Sequence, residues 1–168
     1  KEQIAMLPKP ANTKPIYEAL KEAVNNQVHG EVKFGCYLSG GIDSSALTHL
    51  LSQNRKVDTF SIEFENKEYD ESEAQKLLVQ SLDTNHHSLK ISNKDISQNF
   101  SRVINHAETF LFRTAPVPMY LLSKFVNKLG FKVIYSGEGA DEMLFGYDLF
   151  FENKIRNFLK KKINSKYR

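Results

Sequence analysis

The sequence predicts an α/β fold: an open parallel sheet with helices on both faces, incomplete toward the C-terminus. Three observations point there. A short apolar run, 32–38, passes into Ser39-Gly40-Gly41 and then into Ala46, Leu47, Leu50 and Leu51 at helical spacing. A second apolar run, 131–135, opens into Ser136-Gly137-Glu138-Gly139-Ala140-Asp141-Glu142, another turn of small and acidic residues. Between them, strand-length and helix-length patterns alternate. Strands that alternate with helices pair in parallel through right-handed crossovers.

Residues 1–14, with Pro8 and Pro10, read as a linker from a preceding region, and residues 15–168 as the N-terminal part of one domain. Lys1-Glu2-Gln3 is not a usual start, so the chain reads as cut from a longer one. Thr13 is placed to cap a first helix, and Pro15 falls in its tolerant first turn. Ile16, Leu20, Ala23 and Val24 form its apolar stripe, and His29-Gly30 end it. After the first strand and its helix comes a second strand, 57–64, with Phe60, Ile62 and Phe64 on one face. Asp70, with Glu73 three residues on, caps the next helix, and Leu77, Leu78 and Leu82 supply its apolar side. A third strand covers 87–91, helices cover 95–105 and 117–129, and Gly130 stops the second of these before the fourth strand, 131–135.

Composition excludes several classes. At 168 residues, 40% hydrophobic and 26% charged, the chain suits one globular domain with a core. No apolar run approaches the roughly 20 residues of a membrane span, and no secretory pattern opens the sequence. Cys36 is the lone cysteine and lies in an apolar run, so it reads as a buried structural thiol. A reducing, cytoplasmic setting is the default expectation. The net charge of +3 conceals an asymmetry: 154–168 holds seven basic residues and no acidic ones, leaving −4 on the rest. A solvated helix and tail explain this better than a nucleic-acid footprint. His86 and His87 point to opposite faces of a strand and lack ligand partners at metal spacing, so no metal is expected there. Phe110, Phe112, Phe145, Phe150 and Phe151 are expected to pack in the core or an interface.

The chemistry concentrates in two loops. Gly40 and Gly41 remove side chains where the backbone turns sharply and must approach a ligand. The helix N-terminus that follows offers unpaired N–H groups to a phosphate oxyanion, with Ser39, Ser44 and Ser45 as further donors. Asp43 would repel a bare phosphate and makes sense with a magnesium ion between them. The pattern is neither Gly-x-x-x-x-Gly-Lys-[Ser/Thr] nor Gly-x-Gly-x-x-Gly, which weighs against Walker-type and dinucleotide sites. The plainer alternative is a structural turn with incidental serines. Two glycines, an acid and three hydroxyls at one strand-to-helix junction weigh against it.

Loops at the C-terminal ends of parallel strands collect the ligand, so the second loop is expected at the same sheet edge. Glu138 and Asp141 would face one way if a helix has begun there, and Asp141 with Asp43 would seat magnesium. Acidic helix caps are the plainer alternative. Adenosine is expected to rest near Leu38, Ser61 and Ile62. Glu108 and Arg113 lie before a helix, where an arginine clamps a carboxylate or phosphate, or simply sits on the surface.

Tyr37-Leu38-Ser39-Gly40-Gly41-Ile42-Asp43-Ser44-Ser45, followed by Ser136-Gly137-Glu138-Gly139-Ala140-Asp141-Glu142 and Gly146-Tyr147, resembles the synthetase domain of glutamine-hydrolysing asparagine synthetases. These belong to the N-type ATP pyrophosphatases, with an adenine nucleotide alpha hydrolase-like fold. Phe60-Ser61-Ile62, Tyr69-Asp70-Glu71, His86-His87 and the run from Pro118 to Ser123 fit in the same order. The likeness spans about 16–158.

The resemblance implies ATP-dependent amidation of aspartate through β-aspartyl-AMP, releasing AMP and pyrophosphate. It implies that Ser39, Gly40, Gly41, Asp43, Ser44 and Ser45 grip pyrophosphate, and that Asp43 and Asp141 hold magnesium. Glu138 would serve the ammonia step, Leu38, Ser61 and Ile62 the adenosine, and Ser136 and Gly137 the nucleotide from the second loop. Ammonia would come from a glutaminase domain that is missing here, as is a C-terminal helical portion carrying a further lysine. A homodimer is compatible; membrane attachment is not expected. Two departures stand out: the spacing from Arg113 to Pro118, and Phe145-Gly146-Tyr147 where the family reads Gly-Gly-Tyr. The alternatives are the same scaffold acting on another carboxylate, a tRNA-modifying relative, and an inactive regulatory domain.

Overall fold

The computed structural model describes residues 13–28, 32–53 and 55–166, with side chains as far as residue 160. Most of the expected linker, the His29-Gly30 helix stop and the last basic side chains lie outside the described residues. The chain divides into two compact units, one ending at Tyr135 and one beginning at Ser136.

The first unit runs α1 (Lys14–Gln27), β1 (Phe34–Tyr37), α2 (Ile42–Ser52), β2 (Asp58–Phe64), α3 (Ser72–Leu82), β3 (Asn85–Ile91), α4 (Asn93–Ala107), α5 (Pro116–Lys128) and β4 (Val133–Tyr135). The strands form one sheet in the order β3-β2-β1-β4. Every pairing is parallel, as the alternating pattern predicts. Alternation along each strand splits the core in two. Cys36 packs with Val24 of α1, Leu50 and Leu51 of α2, and Val57. Phe60 packs with Leu122 and Val126 of α5 and with Phe131. Helices therefore cover both faces. Burial pushes the Cys36 thiol up to about 11, with Thr48 Oγ1 hydrogen-bonded to its sulfur at 3.3 Å. It is a structural thiol.

Several expected details change. Thr13 precedes α1 without a side-chain cap bond, and Ile16 and Leu20 remain half exposed, leaving Val24 as the helix's buried residue. α3 begins at Ser72 with Glu71 as its cap residue, so Asp70 does not cap it. The Asp70 carboxylate instead accepts from Phe64 N–H at 3.2 Å and Ser72 Oγ at 2.7 Å, tying β2 to the start of α3. The helix buries Ser72 and Gln75, while Leu77 is exposed. A full capping box appears on α4 instead, where Ser92 and Asp95 serve each other's backbone N–H groups. Of the phenylalanines expected in the core or an interface, Phe110 and Phe112 are 88% and 98% exposed, and Phe145 and Phe151 are exposed too, so none of these four is a core residue of this chain.

β3 is longer than expected, pairing with β2 from Asn85 to Ile91. Its polar stretch is accommodated because His86 is satisfied twice. One ring nitrogen lies 3.0 Å from Thr59 Oγ1 and the other 3.0 Å from Ser61 Oγ, with Thr84 behind Thr59. Burial, and next the neighbouring His87, hold His86 below its usual value near 6.5, while Glu63 acts the other way. Below pH ~6.5 the unfolded chain takes up this proton more readily than the folded one, so stability falls on acidification until the folded imidazole titrates. Urea midpoints measured across that window are expected to drop, and His86→Gln should flatten the slope. An unchanged slope would remove His86 as its source.

The second unit contains α6 (Ala140–Leu144) and α7 (Asp148–Lys166). Among the described residues, no helix is long and apolar enough to cross a membrane.

Candidate active site

The last rung between β1 and β2 is Leu38 N–H to the Phe60 carbonyl at 2.9 Å. Gly40 then takes φ +96°, a conformation that side-chain-bearing residues resist, and the backbone turns away from the sheet. Gly41 is the cap residue of α2. The helix opens at Ile42, so the N–H groups of its first turn lack helical acceptors. Together they form a compact amide nest with the positive end of the helix dipole behind it.

The serines build this turn. Ser44 Oγ donates to the Gly41 carbonyl at 3.1 Å, accepts from Ser39 N–H at 3.2 Å, and lies 3.0 Å from Ser39 Oγ. Ser45 Oγ donates to the Gly41 carbonyl at 2.6 Å, and Ser39 Oγ accepts from Gly41 N–H at 3.2 Å. The hydroxyls expected as phosphate donors are thus engaged in shaping the loop, and backbone amides are left for an anion. Asp43 sits in the first turn of α2, half buried. Its carboxylate supplies oxygen, the donor a hard cation takes, and gives a cation reason to lie beside an anion nest.

The adenosine candidates divide. Leu38 is buried directly after β1, and Ile62 is half buried in β2. Ser61 is buried, with its hydroxyl committed to His86.

A residue not foreseen from sequence joins the turn. Gln75 of α3 is 4% exposed, and its Nε2 donates to the carbonyls of Ser39 and Ile62, both at 3.3 Å. Its Oε1 is buried with no partner, which costs about 1–3 kcal/mol. The available signal was Ser72 and Gln75 spaced three apart at the start of α3, polar residues ahead of its leucines.

Farther along the C-terminal edge of β2 and β3, Arg113 and Thr114 line a pocket of about 710 Å³ with Phe64, Asp70, Glu71 and Asn93. Glu108 is not among its lining residues; it ends α4 in a left-handed conformation at φ +51°.

In the second unit, Ser136 Oγ accepts from Glu138 N–H at 3.2 Å, closing a tight turn that includes Gly137. Gly139 takes φ +91°, and α6 starts only at Ala140. Glu138 therefore precedes the helix, and the expected helical relation between Glu138 and Asp141 does not hold. Asp141 occupies the first turn of α6. Gly146 lies against it, and a Cβ there would push the Asp141 carboxylate out of its place. Phe145, where the resemblance has glycine, adopts φ +60°. Tyr147 Oη donates to Glu142 Oε1 at 2.5 Å, which holds the carboxyl below its usual range and pushes the phenol up to about 12. Among the described residues, no group of three or more His, Cys, Asp or Glu is placed to hold a metal.

A parallel sheet whose first strand runs through two glycines into a helix N-terminus is an α/β arrangement of the pyrophosphatase-loop type. The family model for asparagine synthase matches residues 15–167, and the chain belongs to that family. Asparagine synthetase [glutamine-hydrolyzing] 2 of Oryza sativa is 32% identical over 154 residues, covering 84% of this chain and 26% of the relative. Asparagine synthetase [glutamine-hydrolyzing] 1 of Bacillus subtilis is 31% identical over 140 residues, covering 83% and 22%. The chain thus spans about a quarter of the length of the curated relatives it matches. Among solved structures, NMN synthetase of Francisella tularensis aligns with a TM-score of 0.49 at 17% identity, over 73% of this chain and 53% of that one.

Proposed function

We propose that this chain is the nucleotide-activating part of a cytoplasmic enzyme that amidates aspartate to asparagine through β-aspartyl-AMP. The turn at Gly40 and the α2 N-terminus, with Asp43 in that helix's first turn, carries the reading. A side-chain carboxylate oxygen of aspartate attacks the α-phosphorus of ATP, the α–β bridging bond breaks, and pyrophosphate leaves. Ammonia then attacks the acyl carbon, and AMP departs with the carboxylate's oxygen. Pyrophosphate is the group the nest holds, because fixed N–H dipoles stabilise its growing charge without reorganising.

Asp43 and Asp141 are the residues that would hold magnesium, which when bound neutralises phosphate charge. Leu38 and Ile62 would flank the adenosine, with Ser61 fixing that strand from below. Ser136 and Gly137 would meet the nucleotide from the second loop. Glu138 would take the proton that the ammonia nitrogen sheds on attack. The pocket beside Arg113 supports an amino-acid acceptor: a guanidinium suits its α-carboxylate, and Asp70 and Glu71 suit its ammonium. Glu108 lies outside that lining, so Arg113 carries the acceptor assignment. In the intact protein ammonia would come from glutamine, hydrolysed elsewhere in the polypeptide.

Supplying the full polypeptide with magnesium-ATP and ammonium, with and without aspartate, tests this reading. AMP, pyrophosphate and asparagine are expected only with aspartate. A folded protein that binds ATP and ignores aspartate would move the acceptor to a different carboxylate.

A further inference from the structure

In a parallel ladder the bonds alternate in direction, so after Leu38 N–H to the Phe60 carbonyl the next bond donated from the β1 side would run from Gly40 N–H to the Ile62 carbonyl. That rung is absent, because Gly40 turns away at φ +96°. The Ile62 carbonyl receives Gln75 Nε2 instead, and the same nitrogen reaches the Ser39 carbonyl. The turn also lies against α3: a Cβ on Gly40 would stand 3.4 Å from Ala74 Cβ and 3.6 Å from Gln75 Cγ. Gly40 N–H has no hydrogen-bond acceptor among the described residues.

We infer that Gln75 is a positioning residue of the phosphate turn: its amide takes the rung that Gly40 vacates, and so keeps the Gly40 N–H released toward an anion. The inference rests on the proposed reading of this turn as the ATP site. The orientation of the amide follows from its partners, since reversing it would set Oε1 against two carbonyl oxygens. Fold stability alone does not account for a glutamine here. Its two bonds are long and its Oε1 is buried without a partner among the described residues, so an apolar side chain of equal length would remove that unpaired oxygen while taking a donor from the Ser39 and Ile62 carbonyls, and the two changes oppose each other. What the amide provides is a fixed gap between the ends of β1 and β2.

Gln75→Met keeps the length and removes the amide; Gln75→Leu is the second variant. Each is compared with the unsubstituted full polypeptide by thermal midpoint, by amide exchange over residues 39–45, and by the Kd for magnesium pyrophosphate. The expected result is a midpoint close to that of the unsubstituted protein, about tenfold faster exchange confined to the turn, and about tenfold weaker binding. The inference is overturned if a folded variant keeps both local exchange and affinity. It is equally overturned if both variants lower the midpoint and loosen the whole sheet, for Gln75 is then an ordinary core residue. Faster local exchange in a protein that binds neither ATP nor pyrophosphate would sustain the rung and reject the ATP reading.

Discussion

Asp43→Asn is expected to lower magnesium-dependent AMP formation by about 10³-fold, the scale of losing several kcal/mol of transition-state charge stabilisation. The reason is local. Asp43 stands in the first turn of α2, where the helix dipole already favours an anion, and a carboxylate there competes with phosphate unless a cation joins them. Asparagine keeps the shape and loses the charge, so the thermal midpoint should stay put. Asp141→Asn should act in the same direction. Rates measured at saturating magnesium decide the point: undiminished pyrophosphate release from Asp43→Asn would remove this residue from the metal seat.

Gly35→Val is expected to destabilise the fold by about 3 kcal/mol, the upper range for overpacking a core. A Cβ at residue 35 would run into the Phe60 ring and lie 2.9 Å from the Asp58 carbonyl oxygen. The ring can shift; the β2 backbone cannot, because it is paired on both sides. Phe60 also packs edge-on against Phe131 at 4.8 Å and stacks on His87 at 5.0 Å, so displacing it disturbs the whole cluster around α5. Urea unfolding of the variant measures the loss. A value near zero would mean the sheet accommodates the side chain and the contact is not tight.

The parts of the molecule legible in the sequence are those where one local rule decides. The run from Phe34 through Gly41 to Leu51 joins apolar strand, left-handed turn and helix, and each step has its own residue type. The same rules placed four strands and the two loops, though the ends of β1 and β4 are shorter than the apolar runs suggested. α3 was less legible because its buried face is polar: Ser72 is held by the Asp70 carboxylate, and Gln75 by the carbonyls of Ser39 and Ile62. β3 was underestimated for a similar reason: His86 belongs in a strand only because Thr59 and Ser61 supply its partners. The roles of the serines changed too. Residue types put Ser44 and Ser45 at a strand-to-helix turn, but do not show that both donate back to the Gly41 carbonyl. In the second loop, Gly139 at φ +91° delays the helix by enough to separate Glu138 from it, a backbone choice that residue types alone did not fix.

The proposed reaction cleaves ATP between its α and β phosphates, with an acceptor carboxylate as the nucleophile. Supplying the full polypeptide with aspartate carrying ¹⁸O in its side-chain carboxylate tests it most directly. One labelled oxygen is expected in the AMP released, delivered when ammonia displaces the adenylate. Label absent from AMP, with ADP and orthophosphate as the products, would contradict it.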